Sequence, residues 1–304
     1  MVVGSLNMDM AVRTSRVPGP GETLFGQQFD MSPGGKGANQ AVAAARQGGH
    51  VTMIGRVGND AFGSELREIL RQEGINIDPI SASSTLATGI ASIILEADGE
   101  NRIIVVPGAN MELSAEDIFE LESVIRGAKL LVIQLEMELG VCEAVAAIAS
   151  RNGIPLILNP APARILNEQL LSQVTYLTPN ETEAGLLSGM AVDSLETAEL
   201  AARALIHKGV QHVIVTLGSQ GALIVSGESV MHVPGFPVQA VDTVAAGDSF
   251  NGALAVQLAG GQPLEEAVRY ANAAGALAVC KQGAIPSLPS LADVEQFLKN
   301  TECV

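Results

Sequence analysis

Short apolar runs alternate with stretches of helical spacing along most of the 304 residues, and this alternation restricts the possible folds more than any single motif. Residues 1–4, 51–55, 130–135, 156–158, 174–178, 212–217 and 222–225 have the apolar, β-branched character of buried strands. Residues 35–48, 61–73, 141–152, 181–187 and 195–208 have the spacing and stop signals of helices. Strands separated by helices must return by crossovers. The pattern therefore predicts an α/β fold, a doubly wound and mainly parallel sheet flanked by helices. After residue 248 the pattern is helical, at 249–258, 264–279 and 293–299.

Two pieces interrupt this rhythm. Residues 10–31 carry Val17-Pro18-Gly19-Pro20-Gly21 between segments of mixed polarity, and residues 88–106 read as strand, Gly-bearing turn (Glu96 to Asn101) and strand. Together they predict a small β-sheet lid on an α/β domain formed by 1–9, 32–87 and 107–304. The first apolar stub is too short for the core of a signal peptide: either the first strand is short or a few residues precede it. No apolar run approaches the ~18 residues of a membrane span, and the net charge of −16 gives no footprint for nucleic acid or an anionic membrane. A soluble, cytoplasmic protein is expected. Cys142, Cys280 and Cys303 are odd in number and widely spaced, so reduced thiols are expected; His50, His207, His212 and His232 show no metal-binding spacing.

Three stretches carry candidate chemistry. Asp242-Thr243-Val244-Ala245-Ala246-Gly247-Asp248 runs through small residues into a helix, whose unpaired N–H groups suit an anion. Asp248 in the first turn reads either as an N-terminal cap or as a catalytic carboxylate. Asn7 and Asp9 follow the first strand, at the end of a parallel sheet where ligands sit, although both are also ordinary turn residues. Gly34-Gly35-Lys36-Gly37-Ala38-Asn39-Gln40 opens a helix with glycines and two directional donors. It is not a phosphate-binding P-loop, because no Ser or Thr follows Lys36, and no G-x-G-x-x-G follows any strand.

The first and third of these stretches resemble the C-terminal and N-terminal signatures of the ribokinase-like carbohydrate kinases. Further agreement comes from residues 4–9, Pro20-Gly21-Glu22-Thr23, Asn159-Pro160-Ala161-Pro162-Ala163, Thr178-Pro179-Asn180-Glu181-Thr182-Glu183-Ala184 and Thr216-Leu217-Gly218-Ser219, in order over nearly the whole chain. The resemblance implies transfer of a phosphoryl group from ATP to the 5-hydroxyl of D-ribose. Asp248 would be the base, with the N–H groups of Ala245, Ala246, Gly247 and Asp248 holding the developing charge. Asn7, Asp9, Gly35, Lys36, Gly37, Ala38, Asn39 and Glu136 would bind the sugar. Asp9 would accept from two neighbouring hydroxyls, so ribose should be preferred over 2-deoxyribose.

For the nucleotide, the resemblance points to Asn180, Glu183, Thr216, Leu217, Gly218, Ser219, Gln220, Gly221, Gly247 and Asn272, with Mg²⁺ accompanying ATP. It also implies a K⁺ site on Asp242, Val244, Ala278, Lys281, Gly283 and Ser287, and a homodimer formed through the lid. Two departures stand out: Ala245 where many relatives carry Gly, and Gln220 where a basic residue is frequent. The alternatives are another sugar or nucleoside kinase of the family, for deoxyribose or fructose, or a sugar-binding sensor without catalysis.

Overall fold

The structure, a computed structural model, describes residues 1–96 and 101–302. The centre of the expected turn, residues 97–100, and Cys303 lie outside the described residues. The chain enters through β1 (Val2–Val3) and leaves at once as β2 (Asn7–Arg13) and β3 (Gln28–Gly34). It returns through α1 (Lys36–Arg46) to β4 (Met53–Gly58), α2 (Ala61–Gln72) and β5 (Ile80–Ser83). A second excursion forms β6 (Gly89–Leu95) and β7 (Asn101–Val106), after which α3 (Ala115–Glu120) and α4 (Glu122–Ile125) lead to β8 (Leu131–Ile133). Next come α5 (Leu139–Asn152), β9 (Leu156–Leu158), α6 (Glu168–Leu171), β10 (Tyr176–Leu177), α7 (Glu181–Ser188) and α8 (Leu195–His207). The hairpin strands β11 (His212–Thr216), β12 (Gly221–Ser226) and β13 (Ser229–Pro234) precede α9 (Ala246–Ala259), α10 (Leu264–Ala278) and α11 (Leu291–Glu302).

Nine strands form one sheet in the order β13-β12-β11-β10-β9-β8-β1-β4-β5, and four form a second in the order β3-β2-β6-β7. From β11 to β5 every pairing in the large sheet is parallel; β12 and β13 close one edge antiparallel. The two-residue period of a strand sends successive apolar residues to opposite faces. Val3, Leu131, Ile133, Leu156 and Leu158 join one apolar layer with α5, α7 and α8. Val2, Val132, Ile157 and Ile214 join another with α1, α9 and α10. The result is three layers, as the alternation predicted.

From β1 the chain builds outward through β4 and β5 on one side and through β8 to β11 on the other. The connections diverge there, which opens a crevice at the C-terminal ends of β1 and β8. The strands of the small sheet emerge from the same place. They begin at Asn7 and reach Gly34, so the small sheet takes in residues on both sides of the expected 10–31 segment. Two edge strands, β5 and β13, have no counterpart in the sequence reading. β5 alternates with serine and β13 is mostly exposed, so neither carries the apolar run that marks a central strand. No described helix is long and apolar enough to cross a membrane.

Candidate active site

The N-terminus of α1 is built by the chain segments around it. Gly35 precedes the helix at φ +88° and offers no side-chain cap, so three first-turn N–H groups are satisfied from elsewhere. Lys36 N donates to Glu136 Oε2 at 3.1 Å, Gly37 N to Ser5 Oγ at 3.3 Å and Ala38 N to Ser5 O at 2.9 Å. Ser5 Oγ donates in turn to Glu136 Oε2. A side chain at residue 37 would place its Cβ 2.5 Å from Gly4 C and Ser5 N, so the glycine lets the helix rest directly on the end of β1. Of the residues expected to bind sugar, Gly37 and Ala38 thus commit their N–H groups to protein, and Glu136 has one carboxylate oxygen engaged twice.

Asp248 lies in the first turn of α9 and is buried, with 6% exposure. Its Oδ2 accepts from Asn39 Nδ2 and its Oδ1 from Gln40 Nε2, each at 2.9 Å. The carboxylate is therefore not capping its own helix; two amides from α1 hold it. The approach of the two helices depends on Gly252, one turn further along α9, where a Cβ would come within 2.4 Å of Ala43 Cβ. Ahead of α9, Ala245 has φ +60° and is the one non-glycine positive φ among the described residues. A left-handed alanine costs about 1 kcal/mol, which a glycine at that position would avoid. Ala246 N donates weakly back to Thr243 O at 3.4 Å, while the N–H groups of Gly247 and Asp248 meet no protein acceptor among the described residues. Nothing lies within 4 Å of the point where a Gly247 Cβ would stand, so this end of the helix is open.

Asn7 and Asp9 rise from β2 into the same space. Asn7 is buried, and its Oδ1 accepts from Asn110 Nδ2 at 2.8 Å. Asn110, which the sequence reading did not single out, also accepts from Leu6 N at 2.9 Å and donates to Leu6 O and Pro107 O at 3.0 and 2.9 Å. It ties the end of the small sheet to the start of β2. Burial pushes the Asp9 carboxyl up to about 7, with Glu136 and Asp248 pushing the same way and Lys36 opposing. For Lys36, burial alone would lower the ammonium, but Asp248, Glu136, Glu183 and Asp9 together hold it above its ordinary value. Four acids therefore share the field of one cation, the kind of perturbed cluster that marks functional sites.

The expected nucleotide residues lie at the start of α7, in the β11–β12 turn, at the start of α9 and on α10. Asn180 caps α7 by accepting from Glu183 N at 2.8 Å, and Glu183 Oε2 accepts from Asn180 N at 2.9 Å, a reciprocal capping box. Burial raises the Glu183 carboxyl. Thr216 N donates to Pro179 O at 2.9 Å, which places the β11–β12 turn beside Asn180. In that turn Gly218, Ser219 and Gln220 are exposed and Leu217 is packed into the core. Gly221 opens β12. Asn272, on α10, donates to Val233 O and Pro234 O at 3.1 and 3.2 Å and so secures the end of β13.

The six residues expected to hold K⁺ fall on the loop before α9 and on the end of α10 with the segment that follows it, and the two are stitched together. Asp242 accepts from Val244 N at 3.0 Å and from Gly283 N at 2.9 Å, and Val279 O accepts from Val241 N and Asp242 N at 2.7 and 3.1 Å. Lys281 N donates to Ala278 O at 3.3 Å, and the Ser287 hydroxyl to Ala284 O at 2.8 Å. The donors offered here are carboxylate and carbonyl oxygens, the chemistry that suits a hard cation.

Comparison with known proteins agrees with this architecture. The family model for pfkB family carbohydrate kinases matches residues 1–291. The chain is 41% identical over 299 residues to the ribokinase of Haemophilus influenzae, covering 98% of both chains. It is 37% identical over 302 residues to the deoxyribokinase of Salmonella typhi, covering 99% of both. It superimposes on the structure of Arabidopsis thaliana ribokinase complexed with ribose and ATP with a TM-score of 0.92 at 36% identity, covering 98% of this chain and 97% of that one. With a family match over nearly its whole length, and an α9 N-terminus that is open beside a buried carboxylate, the chain belongs to the pfkB family of carbohydrate kinases.

Proposed function

We propose that the chain is a ribokinase, transferring the γ-phosphoryl group of ATP to the 5-hydroxyl of D-ribose. The observation that carries the reading is Asp248, buried and held by two amides beside α9 N–H groups that meet no protein acceptor among the described residues. Phosphoryl transfer asks little covalent work of a protein; it needs alignment, a proton acceptor and positive potential around the moving group. Asp248 takes the proton of the 5-hydroxyl as that oxygen bonds to the γ-phosphorus and the bond to the β–γ bridging oxygen breaks, releasing ADP. Gly247 and Asp248 N–H groups stabilise the charge that develops, together with the dipole of α9. Similarity to ribokinases at about 40% identity over the full length supports the sugar.

Asn7, Asp9, Lys36, Asn39 and Glu136 bind the sugar hydroxyls, Glu136 through Oε1. Asn39 supports this role: its Oδ1 is buried without a protein partner, an arrangement that a ligand O–H would satisfy. The nucleotide lies along Asn180, Glu183, Thr216 to Gly221 and Asn272. Among the described residues no three His, Cys, Asp or Glu side chains converge on a metal-sized site, so Mg²⁺ would be held mainly by the nucleotide's phosphates and by water, with Glu183 the acid at hand. It would neutralise the charge of the transferring phosphate. K⁺ on the Asp242 and Gly283 loops would stiffen the turn that presents Gly247 and Asp248.

Apolar side chains on one face of the small sheet, Val12, Phe29, Met31 and Ile104, are 36–65% exposed, and we assign that sheet to a homodimer contact as well as to closing over the sugar. The working place would be the cytoplasm, with ATP as donor. The test is ADP release measured by a coupled assay over a panel of sugars. Ribose should give the highest kcat/KM and 2-deoxyribose a clearly lower one, because removing one hydroxyl leaves an Asp9 oxygen unpaired. Equal values would contradict the Asp9 contact, a higher value for 2-deoxyribose would favour a deoxyribokinase, and absence of turnover with any sugar would leave a sensor.

A further inference from the structure

A train of buried amides runs from the acid into the ends of three central strands, and its polarity can be worked out atom by atom. Thr178 O can only accept, so the Asn159 Nδ2 that lies 3.2 Å from it is the donor and Asn159 Oδ1 faces Gln40. Gln40 Nε2 then donates one hydrogen to Asn159 Oδ1 at 3.0 Å and the other to Asp248 Oδ1 at 2.9 Å. Its own Oε1 accepts from Gln134 Nε2 at 2.6 Å. Both hydrogens and the oxygen of the Gln40 amide are committed, and turning the group over would break all three contacts. Gln40 and Gln134 are fully buried and Asn159 nearly so, so bulk solvent does not compete for these contacts. From the other side of the same strand ends, Thr178 Oγ1 donates to Asn251 Oδ1 at 2.7 Å and Asn251 Nδ2 to Gly247 O at 2.8 Å. Strand ends and helix start are thus joined to the acid on two sides.

We propose that Gln40 is a positioning residue for the Asp248 carboxylate, and that Gln134 and Asn159 hold Gln40 in the one orientation that donates to it. The inference rests on Asp248 being the base. With Asn39 alone, the carboxylate could turn about its single remaining contact. With Gln40 in place both oxygens are pinned, and their remaining lone pairs keep fixed directions relative to the α9 N–H groups. Reaction rate depends steeply on such alignment, whereas sugar affinity does not pass through Gln40.

The experiment compares Gln40→Leu and Gln134→Met with the unaltered protein, reading the single-turnover rate of phosphoryl transfer and, separately, the ribose Kd by calorimetry. Gln134 touches neither Asp248 nor any proposed ligand position; methionine removes its buried, partnerless Oε1 but leaves Gln40 Oε1 without its donor, so the fold of the variant is checked first by circular dichroism. The expected result is a rate about 10- to 100-fold lower for Gln40→Leu and several-fold lower for Gln134→Met, with ribose Kd within about two-fold in both. If Gln40→Leu does not fold, Gln134→Met decides alone. A rate within about two-fold of the parent in a folded variant, or a ribose affinity that falls in step with the rate, overturns the inference. Asp248→Asn is measured alongside: if it keeps its turnover, the base assignment fails; if it loses turnover while both glutamine variants keep theirs, only the positioning role fails.

Discussion

Replacing Asp9 with asparagine should make the ligand-free protein more stable while weakening its hold on ribose. The side chain's ordinary value of 3.8 moves to about 7 in the folded chain. The folded state thus keeps a proton that the unfolded state releases near pH 4, and between these values stability falls as pH rises. Below about pH 4 both states are protonated and the penalty is absent; above about pH 7 it is complete. A shift of about three units, at about 1.4 kcal/mol per unit, bounds the penalty near 4 kcal/mol. Relaxation and the amide's own burial bring the expected gain in Asp9→Asn to about 2–4 kcal/mol at pH 8. For 304 residues, with about 2.1 cal/mol/K of unfolding entropy per residue, that is a Tm rise of about 3–6 °C. Thermal melts at pH 8 and pH 5 read it directly, with most of the gain gone at pH 5. Titration of the parent with ribose near pH 6 should release a proton, and near pH 8.5 should not, because hydroxyls donate to the ionised carboxylate. An unchanged Tm at pH 8, or a gain that is the same at both pH values, would refute the reasoning.

Asp248→Asn should keep the fold, since an amide fills the same volume, and reduce kcat by about 10²- to 10⁴-fold, as read by the coupled ADP assay; near-normal turnover would remove the acid from the mechanism. Exchanging K⁺ for Na⁺ should lower kcat if a cation braces the Asp242 and Gly283 loops, and equal rates in the two buffers would count against that site.

Much of the large sheet could be read from the chain because its central strands are apolar on both faces. The run Leu156 to Leu158 coincides with β9, and the α9 signal at 249–258 falls inside the observed helix. The edge strands escaped because an exposed strand is not obliged to be apolar, as Ser229 to Pro234 illustrates. At the site, Asn7, Asp9, Lys36, Asn39, Glu136 and Asp248 come together from chain positions up to 241 residues apart, Asn7 to Asp248. Their types and motifs were visible, but their partners were not. Asn39 and Gln40 are neighbours in one motif, and that both amides face the carboxylate depends on the rotation of α1 against α9. Asn110 and Gln134 offered no signal: an isolated amide in a loop or at a strand end looks like surface until its neighbours are known. Lys36, Gly37 and Ala38 were expected at the sugar from the family motif, which says nothing of their backbone N–H groups; Ser5 and Glu136, from distant segments, engage those N–H groups here.

Gly252 has a consequence for how the protein is made. The sugar-side residues Asn7 to Glu136 leave the ribosome well before Asp248, and the acid reaches Asn39 and Gln40 only when α9 settles against α1 at that glycine. A chain ending before α9 would lack the proposed proton acceptor, and with it the helices that complete one apolar layer of the large sheet. Competence to move phosphate would arrive as one of the last events of synthesis, so that an unfinished chain meeting ATP in the cell has no means of consuming it.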